Sequence, residues 1–192
     1  MEPQRTPAVR LSIPDAERMH DLGRELSGSL RAGDLVVLTG PLGAGKTTLT
    51  RGLGEGLRVR GSVTSPTFVL ARTHPSTVDG PPLVHVDAYR LAGAVELDDL
   101  DIDFTHSIVV VEWGRGMLEG IAESWLDIEI ERPLGASEAR PAAETASADL
   151  DLDLDLDLDL DLDEPRTVTI TPVGPRWAGS PEFDGHFGAH HL

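Results

Sequence analysis

Eight residues constrain this chain more than any others: Gly40-Pro41-Leu42-Gly43-Ala44-Gly45-Lys46-Thr47. The spacing G-x-x-x-x-G-K-T is what a backbone needs to wrap a phosphate. Gly40, Gly43 and Gly45 admit backbone angles that a β-carbon forbids. Successive N–H groups then turn inward as a nest for an anion. A helix directly after the loop adds the positive end of its dipole. Lys46 is placed to reach the β- and γ-phosphates of a nucleotide, and the Thr47 hydroxyl to coordinate Mg²⁺. The flanks agree with this reading. Leu35-Val36-Val37-Leu38-Thr39 is a continuous apolar run, as a buried parallel strand is. Residues 47–57 then predict a helix. ATP and Mg²⁺ are the ligands this motif implies.

Such a loop needs a carboxylate from a neighbouring strand to hold the metal or its water. Two candidates end apolar strands: Asp87 after residues 83–86, and Glu112 after residues 107–111. Ligands of α/β sheets gather at the carboxyl ends of parallel strands. Asp87 is placed to orient the attacking water or act as its base, and the residues alone do not divide the roles between the two carboxylates. Trp113 reads equally as a surface packed on nucleotide or partner and as a rim residue of the core. Lys46 is the chain's single lysine. That excludes an Asn-Lys-x-Asp base-reading element, and with it a GTPase of the usual kind. Further positive charge at the phosphates must come from arginine, with Arg90 and Arg166 as candidates.

The remaining pattern frames the loop. Residues 8–13 alternate as a short strand, and Pro14 and Asp15 open a helix with Glu17 in its first turn. Met19, Leu22, Leu26 and Leu30 give that helix one apolar stripe, with Gly33 placed to end it. Residues 67–70 read as a strand entered from the Thr64-Ser65-Pro66-Thr67 loop, and residues 73–82 as a connection. Residues 94–100 read as a short acidic helix. Residues 125–131 and 166–171 alternate and suit an antiparallel hairpin. Between them, residues 133–165 turn from Ala, Ser, Pro and Glu into a pure Asp-Leu repeat. A strand there would align eight like charges on one face, so the segment reads as a disordered acidic insertion. Calcium binding is disfavoured, because no glycine turns bring the carboxylates around one ion. The expected organisation is one domain over 8–172, interrupted by the insertion at about 133–165, and a flexible tail over 173–192.

Charge and composition narrow the function. The 192 residues carry a formal net charge of −17, with eight aspartates in the 149–163 tract. Unaided nucleic-acid binding needs a basic face that releases counterions, so it is not expected. The absence of cysteine excludes disulfides and thiolate-held metals. No stretch reaches the ~20 apolar residues of a membrane helix. A cytoplasmic protein without membrane association is the expectation.

Taken together, five segments resemble one family: Gly40 through Thr48 with its G-P-L-G-A-G-K-T-T sequence, Ser65-Pro-Thr-Phe-Val-Leu70, His85-Val-Asp-Ala-Tyr-Arg-Leu91, Glu96-Leu-Asp-Asp99 and Val109-Val-Val-Glu-Trp113. Their order and spacing are similar to those of the TsaE (YjeE) family, over residues 11–134 and again over 166–171. The resemblance implies a P-loop NTPase-like α/β fold of three layers, with a mostly parallel central sheet and antiparallel edge strands. It implies a cytoplasmic ATPase needed for threonylcarbamoyladenosine formation at adenosine 37 of tRNAs that read codons beginning with A. The transferase in that family is a TsaB–TsaD heterodimer, which also binds the tRNA, so tRNA contact here would be indirect. Position by position, Leu42, Gly43, Ala44, Gly45, Lys46 and Thr47 would wrap the phosphates. Thr47 and Glu112 would hold Mg²⁺, and Thr48 and Asp87 match positions important for hydrolysis. Ser65-Pro66-Thr67 matches a mobile loop near the γ-phosphate, and Arg166 an arginine near the nucleotide. Pro41, Ala88, Gly114 and the 133–165 insertion depart from the family pattern. Two other classes compete: a small-molecule P-loop kinase, disfavoured because no basic lid follows the loop, and a nucleotide-sensing binding module in which turnover is incidental.

Overall fold

A computed structural model describes residues 7–66, 69–118, 121–132, 164–180 and 183. Among them, seven strands form one sheet: β1 (Val9–Ile13), β2 (Leu35–Thr39), β3 (Ala71–His74), β4 (Leu83–Asp87), β5 (Ile108–Glu112), β6 (Trp125–Glu131) and β7 (Arg166–Val173). Their order is β1-β7-β6-β2-β5-β4-β3. The central strands β6, β2, β5 and β4 are parallel. The pairs towards the edges, β1 with β7, β7 with β6 and β3 with β4, are antiparallel. The fold is therefore the α/β sheet expected from the sequence, and the 125–131 and 166–171 segments pair as the expected hairpin, with β7 running on to Val173.

The apolar runs of β2 and β5 exist because both faces of those strands are covered. Val36, Leu38, Ile108 and Val110 face a core built with Met19, Leu22 and Leu26 of α1 (Ala16–Ser27) and Leu49 and Leu53 of α2 (Lys46–Gly56). Leu35, Val37, Val109 and Val111 face the opposite core, covered by Leu97 of α3 (Ala94–Asp98) and by Leu118. The period of two thus distributes one β-branched run between two cores. Each of these side chains stabilises the fold by roughly 1.5–3 kcal/mol relative to exposure. No helix among the described residues is long and apolar enough to cross a membrane.

Three expectations are corrected. The first helix ends at Ser27 with Gly28 as its cap, not at Gly33. Gly33 instead takes φ +91° in the turn that enters β2, and its N–H bonds the Ser107 carbonyl. The strand read at 67–70 begins later. Val69 and Leu70 form a turn in which both N–H groups bond the Pro66 carbonyl, and β3 starts at Ala71. Its Arg72 and Thr73 resemble loop residues because β3 is an edge strand, where polar side chains are tolerated. Finally, the chain beyond Val173 is not loose where it is described. Trp177 and Phe183 are buried in the main core with their rings edge to face at 5.6 Å. The acidic insertion read at 133–165, apart from its last two residues, lies outside the described residues, as do Thr67, Phe68, His190 and His191.

Candidate functional site

The four parallel strands end at one edge of the sheet, and the predicted site residues collect there. The loop leaves β2 at Gly40, whose α-carbon packs so closely on the Ile130 carbonyl that a Cβ would sit 2.6 Å from it. The loop then turns into α2 through Gly45, at φ +106°. Gly45 is the helix N-cap and has no side chain to offer the first-turn N–H groups. Those donors need a partner, and an anion is the natural one. Leu42 stands out into solvent. Ala44 is buried, and its N–H bonds the Pro41 carbonyl.

Lys46 lies inside the loop. Its Nζ donates to the carbonyls of Gly40 at 3.0 Å and Pro41 at 3.1 Å, and sits 4.1 Å from the centroid of the Trp113 ring. Burial holds the Lys46 ammonium below its ordinary range, although the nearby charges of Glu112 and Asp87 pull the other way. Trp113 follows β5 directly, takes a left-handed backbone at φ +64°, and meets Tyr89 edge to face at 5.6 Å. The ring is half-buried, so it lies at the rim of the core and keeps a surface open to solvent.

Asp87 and Glu112 are register partners at the ends of β4 and β5. Both are buried. The Thr47 hydroxyl donates to Glu112 Oε1 at 3.1 Å. Asp87 Oδ1 accepts the Tyr89 N–H at 3.0 Å, and the Asp87 N–H bonds the Leu70 carbonyl. Thr48 is half-buried in the first turn of α2. Lys46, Thr47, Asp87 and Glu112 therefore converge from three elements. The donor set for a cation is a hydroxyl beside a buried carboxylate, all hard oxygen, which fits Mg²⁺.

Three further predicted residues, Ser65, Arg90 and Arg166, belong to other segments, and the register sets Arg166 beside the end of β6, at the same carboxyl edge. Ser65 is exposed on the segment before β3, and Arg90 is exposed in the single 3₁₀ turn Ala88–Arg90. Arg166 opens β7 and is buried, with Nη1 donating to the Glu164 carbonyl at 2.7 Å and lying 3.5 Å from its carboxylate. Two residues were not read from the sequence. Arg132 follows β6 and places Nη1 4.0 Å from where a Cβ of Gly43 would be, while pairing with Glu164 at 3.6 Å. His85 is wholly buried, and its Nε2 lies 2.8 Å from Glu112 Oε1. The alternation Leu83, His85, Asp87 held the signal for it, since these three share one face of β4.

Comparison with known proteins gives a consistent result. The sequence model of the family described as "Threonylcarbamoyl adenosine biosynthesis protein TsaE" matches residues 13–140. A Streptomyces coelicolor protein named tRNA threonylcarbamoyladenosine biosynthesis protein TsaE is 55% identical over 163 residues, covering 83% of this chain and 94% of its own length. The protein of that name from Bacillus subtilis is 39% identical over 105 residues, covering 53% and 64%. The crystal structure of Bacillus subtilis YdiB superposes with a TM-score of 0.60 at 26% identity, covering 91% of each chain.

Proposed function

The chain belongs to the TsaE family, which serves tRNA threonylcarbamoyladenosine biosynthesis, and from that premise we propose that it is a Mg²⁺-dependent ATPase working with a TsaB–TsaD pair on adenosine 37. The observation that carries the ATPase reading is the convergence of Lys46, Thr47, Asp87 and Glu112 around an α-helix whose N-cap is glycine.

In this reading residues 42–47 wrap the phosphate oxygens, with N–H groups of the loop other than that of Ala44, which bonds Pro41, and with those of the first turn of α2. Lys46 exchanges two carbonyl partners for phosphate, a stronger charge-assisted contact. Thr47 and Glu112 would hold Mg²⁺, which would supply positive charge against the phosphates. Asp87 has Oδ1 tied to the Tyr89 N–H, which fixes the carboxylate and leaves Oδ2 to orient water. Water oxygen attacks the γ-phosphorus, the bond to the bridging oxygen breaks, ADP leaves, and Asp87 is placed to receive the proton. Thr48 and Arg132 flank this centre as further groups for the phosphates.

The surface around the site supports a protein partner. Leu42 is 87% exposed, Tyr89 71%, Val95 76% and Val69 55%. Leu42, Val69 and Tyr89 lie on segments at the carboxyl edge of the sheet, whereas a fifth such residue, Val78, lies on the connection between β3 and β4. Apolar surface concentrated in this way marks a docking face. The net charge of −17 fits a division of labour in which the partner, not this chain, holds the RNA.

The decisive measurement is ATP hydrolysis with and without a purified TsaB–TsaD pair, using Glu112→Ala as control. The expectation is stimulation by the pair, reduced about 100-fold in the variant through loss of charge stabilisation at the metal. Robust hydrolysis indifferent to the pair would leave an ATPase without this partner. ATP-controlled docking on the pair without turnover would favour a nucleotide-sensing module.

A further inference from the structure

His85 is buried with no exposed surface, on the strand face that looks towards α2. Nothing in the phosphate-loop chemistry requires an imidazole there. A buried polar ring is costly unless its nitrogens are used. One of them is used: Nε2 lies 2.8 Å from Glu112 Oε1. Ionised Glu112 can only accept, so this contact requires the proton on Nε2. The other nitrogen, Nδ1, is buried with no hydrogen-bond partner among the described residues. An unprotonated Nδ1 is the tautomer that leaves no buried donor unsatisfied.

The same oxygen, Glu112 Oε1, accepts from the Thr47 hydroxyl at 3.1 Å. Its two lone pairs are therefore directed at α2 on one side and at β4 on the other. Glu112 Oε2 lies outside both contacts. If the Thr47 hydroxyl turns a lone pair towards a cation, His85 still fixes Oε1. The carboxylate then cannot rotate about its terminal torsion, which in a free Glu is broad and nearly two-fold.

We propose that His85 is a positioning residue for Glu112: its Nε2–H locks the carboxylate so that Oε2 faces the cation. The inference rests on the Mg²⁺–nucleotide reading of the site. Partners behind a ligating carboxylate contribute to affinity because they order the ligand in advance, and losing one typically costs 10- to 100-fold.

The test is ADP binding by calorimetry, with excess Mg²⁺ and with EDTA, for the wild type, His85→Leu and His85→Gln. Leucine keeps apolar volume and deletes the donor, while the glutamine amide restores an N–H near the position of Nε2. In His85→Leu, Mg²⁺-dependent affinity should fall roughly 10- to 100-fold, with affinity in EDTA changed less than about twofold. His85→Gln should recover most of the loss. Equal affinities for wild type and His85→Leu in Mg²⁺ would overturn the proposal, as would equal losses in both variants, which would mean packing alone. A second readout does not depend on the variants folding. Ring ¹⁵N shifts of His85 should show protonated Nε2 and bare Nδ1 in the wild type, and the opposite tautomer overturns the assignment. A wild type that binds ADP without regard to Mg²⁺ would instead remove the metal reading and this proposal with it, a result separable from failure of His85 alone.

Discussion

Lys46 shows how one residue can serve function at the expense of stability. It is the chain's single lysine, buried and coordinated by two carbonyls and an indole face. Its ammonium is held below the ordinary lysine value of 10.5, chiefly by desolvation. The sign follows directly. The folded chain binds this proton less tightly than the unfolded chain, so the charge costs stability at neutral pH. That cost disappears only as pH rises through the folded value towards 10.5. Lys46→Met is therefore expected to leave the thermal midpoint of the nucleotide-free protein unchanged or higher at pH 7. The same variant should lower ATP affinity at least about 100-fold, because charge-assisted phosphate contacts are lost. Differential scanning calorimetry and titration calorimetry on one sample check both halves. A lowered midpoint would show that the lysine is a structural tie rather than a reserved phosphate ligand.

At the scale of elements, the crossing of α1 and α2 decides where the phosphate loop can stand. Each helix brings a glycine to the crossing. A Cβ on Gly52 would lie 1.9 Å from the His20 carbonyl oxygen, and one on Gly23 would lie 2.1 Å from that of Leu49. Backbones approach here without side chains between them, and no rotamer change can relieve a clash with backbone. Gly52→Ala should force α2 away from α1 and destabilise the fold by about 3 kcal/mol, the upper part of the usual overpacking range. Urea unfolding measures that loss. Because α2 carries Lys46 and Thr47 at its start, ADP affinity should fall as well, although Gly52 lies six residues beyond Lys46. An alanine variant of wild-type stability would show that the crossing is looser than the packing implies.

Across the whole molecule, the segment after β7 closes the fold. Arg176 Nε donates to Asp34 Oδ1 at 3.0 Å, and Nη2 donates to Asp34 Oδ2 at 3.1 Å and to the Ser29 carbonyl. The guanidinium also lies 4.1 Å from the Trp177 ring. This fork ties the C-terminal segment to the turn that launches β2 and the phosphate loop. Asp34 is buried, so removal of its partner leaves a charge without compensation. Arg176→Ala should cost about 2 kcal/mol, below the 3–5 kcal/mol of a fully buried pair because Arg176 keeps some exposure and Asp34 keeps the Arg31 N–H. Denaturation of Arg176→Ala, Asp34→Asn and the double variant forms a cycle. The double variant should lose less than the sum of the two singles. Strict additivity would mean the pair is not coupled.

The sequence by itself determined what depends on local pattern. The glycine spacing specified the tight loop that carries the chain from β2 through Gly45 into α2. The runs in β2, β4 and β5 specified buried strands, and with β4 and β5 the placement of Asp87 and Glu112 at strand ends. These are consequences of backbone sterics and a period of two, and they need no knowledge of distant partners. Tertiary structure alone decided the pairings across long separations. His85 and Glu112 are 27 residues apart, and Asp34 and Arg176 are 142 apart. Gly23 and Gly52 are poor helix formers by propensity, and their use shows only where α1 and α2 cross. Trp177 and Phe183 read as a loose tail because two aromatics among polar residues show no period. Thr73 and His74 read as loop because they open a polar, Pro-containing stretch and sit on an edge strand, where polar side chains are tolerated. In each case the local sequence states which groups a segment carries. Only sheet register and helix crossing decide which of them meet, because contact is set by the path of the whole chain.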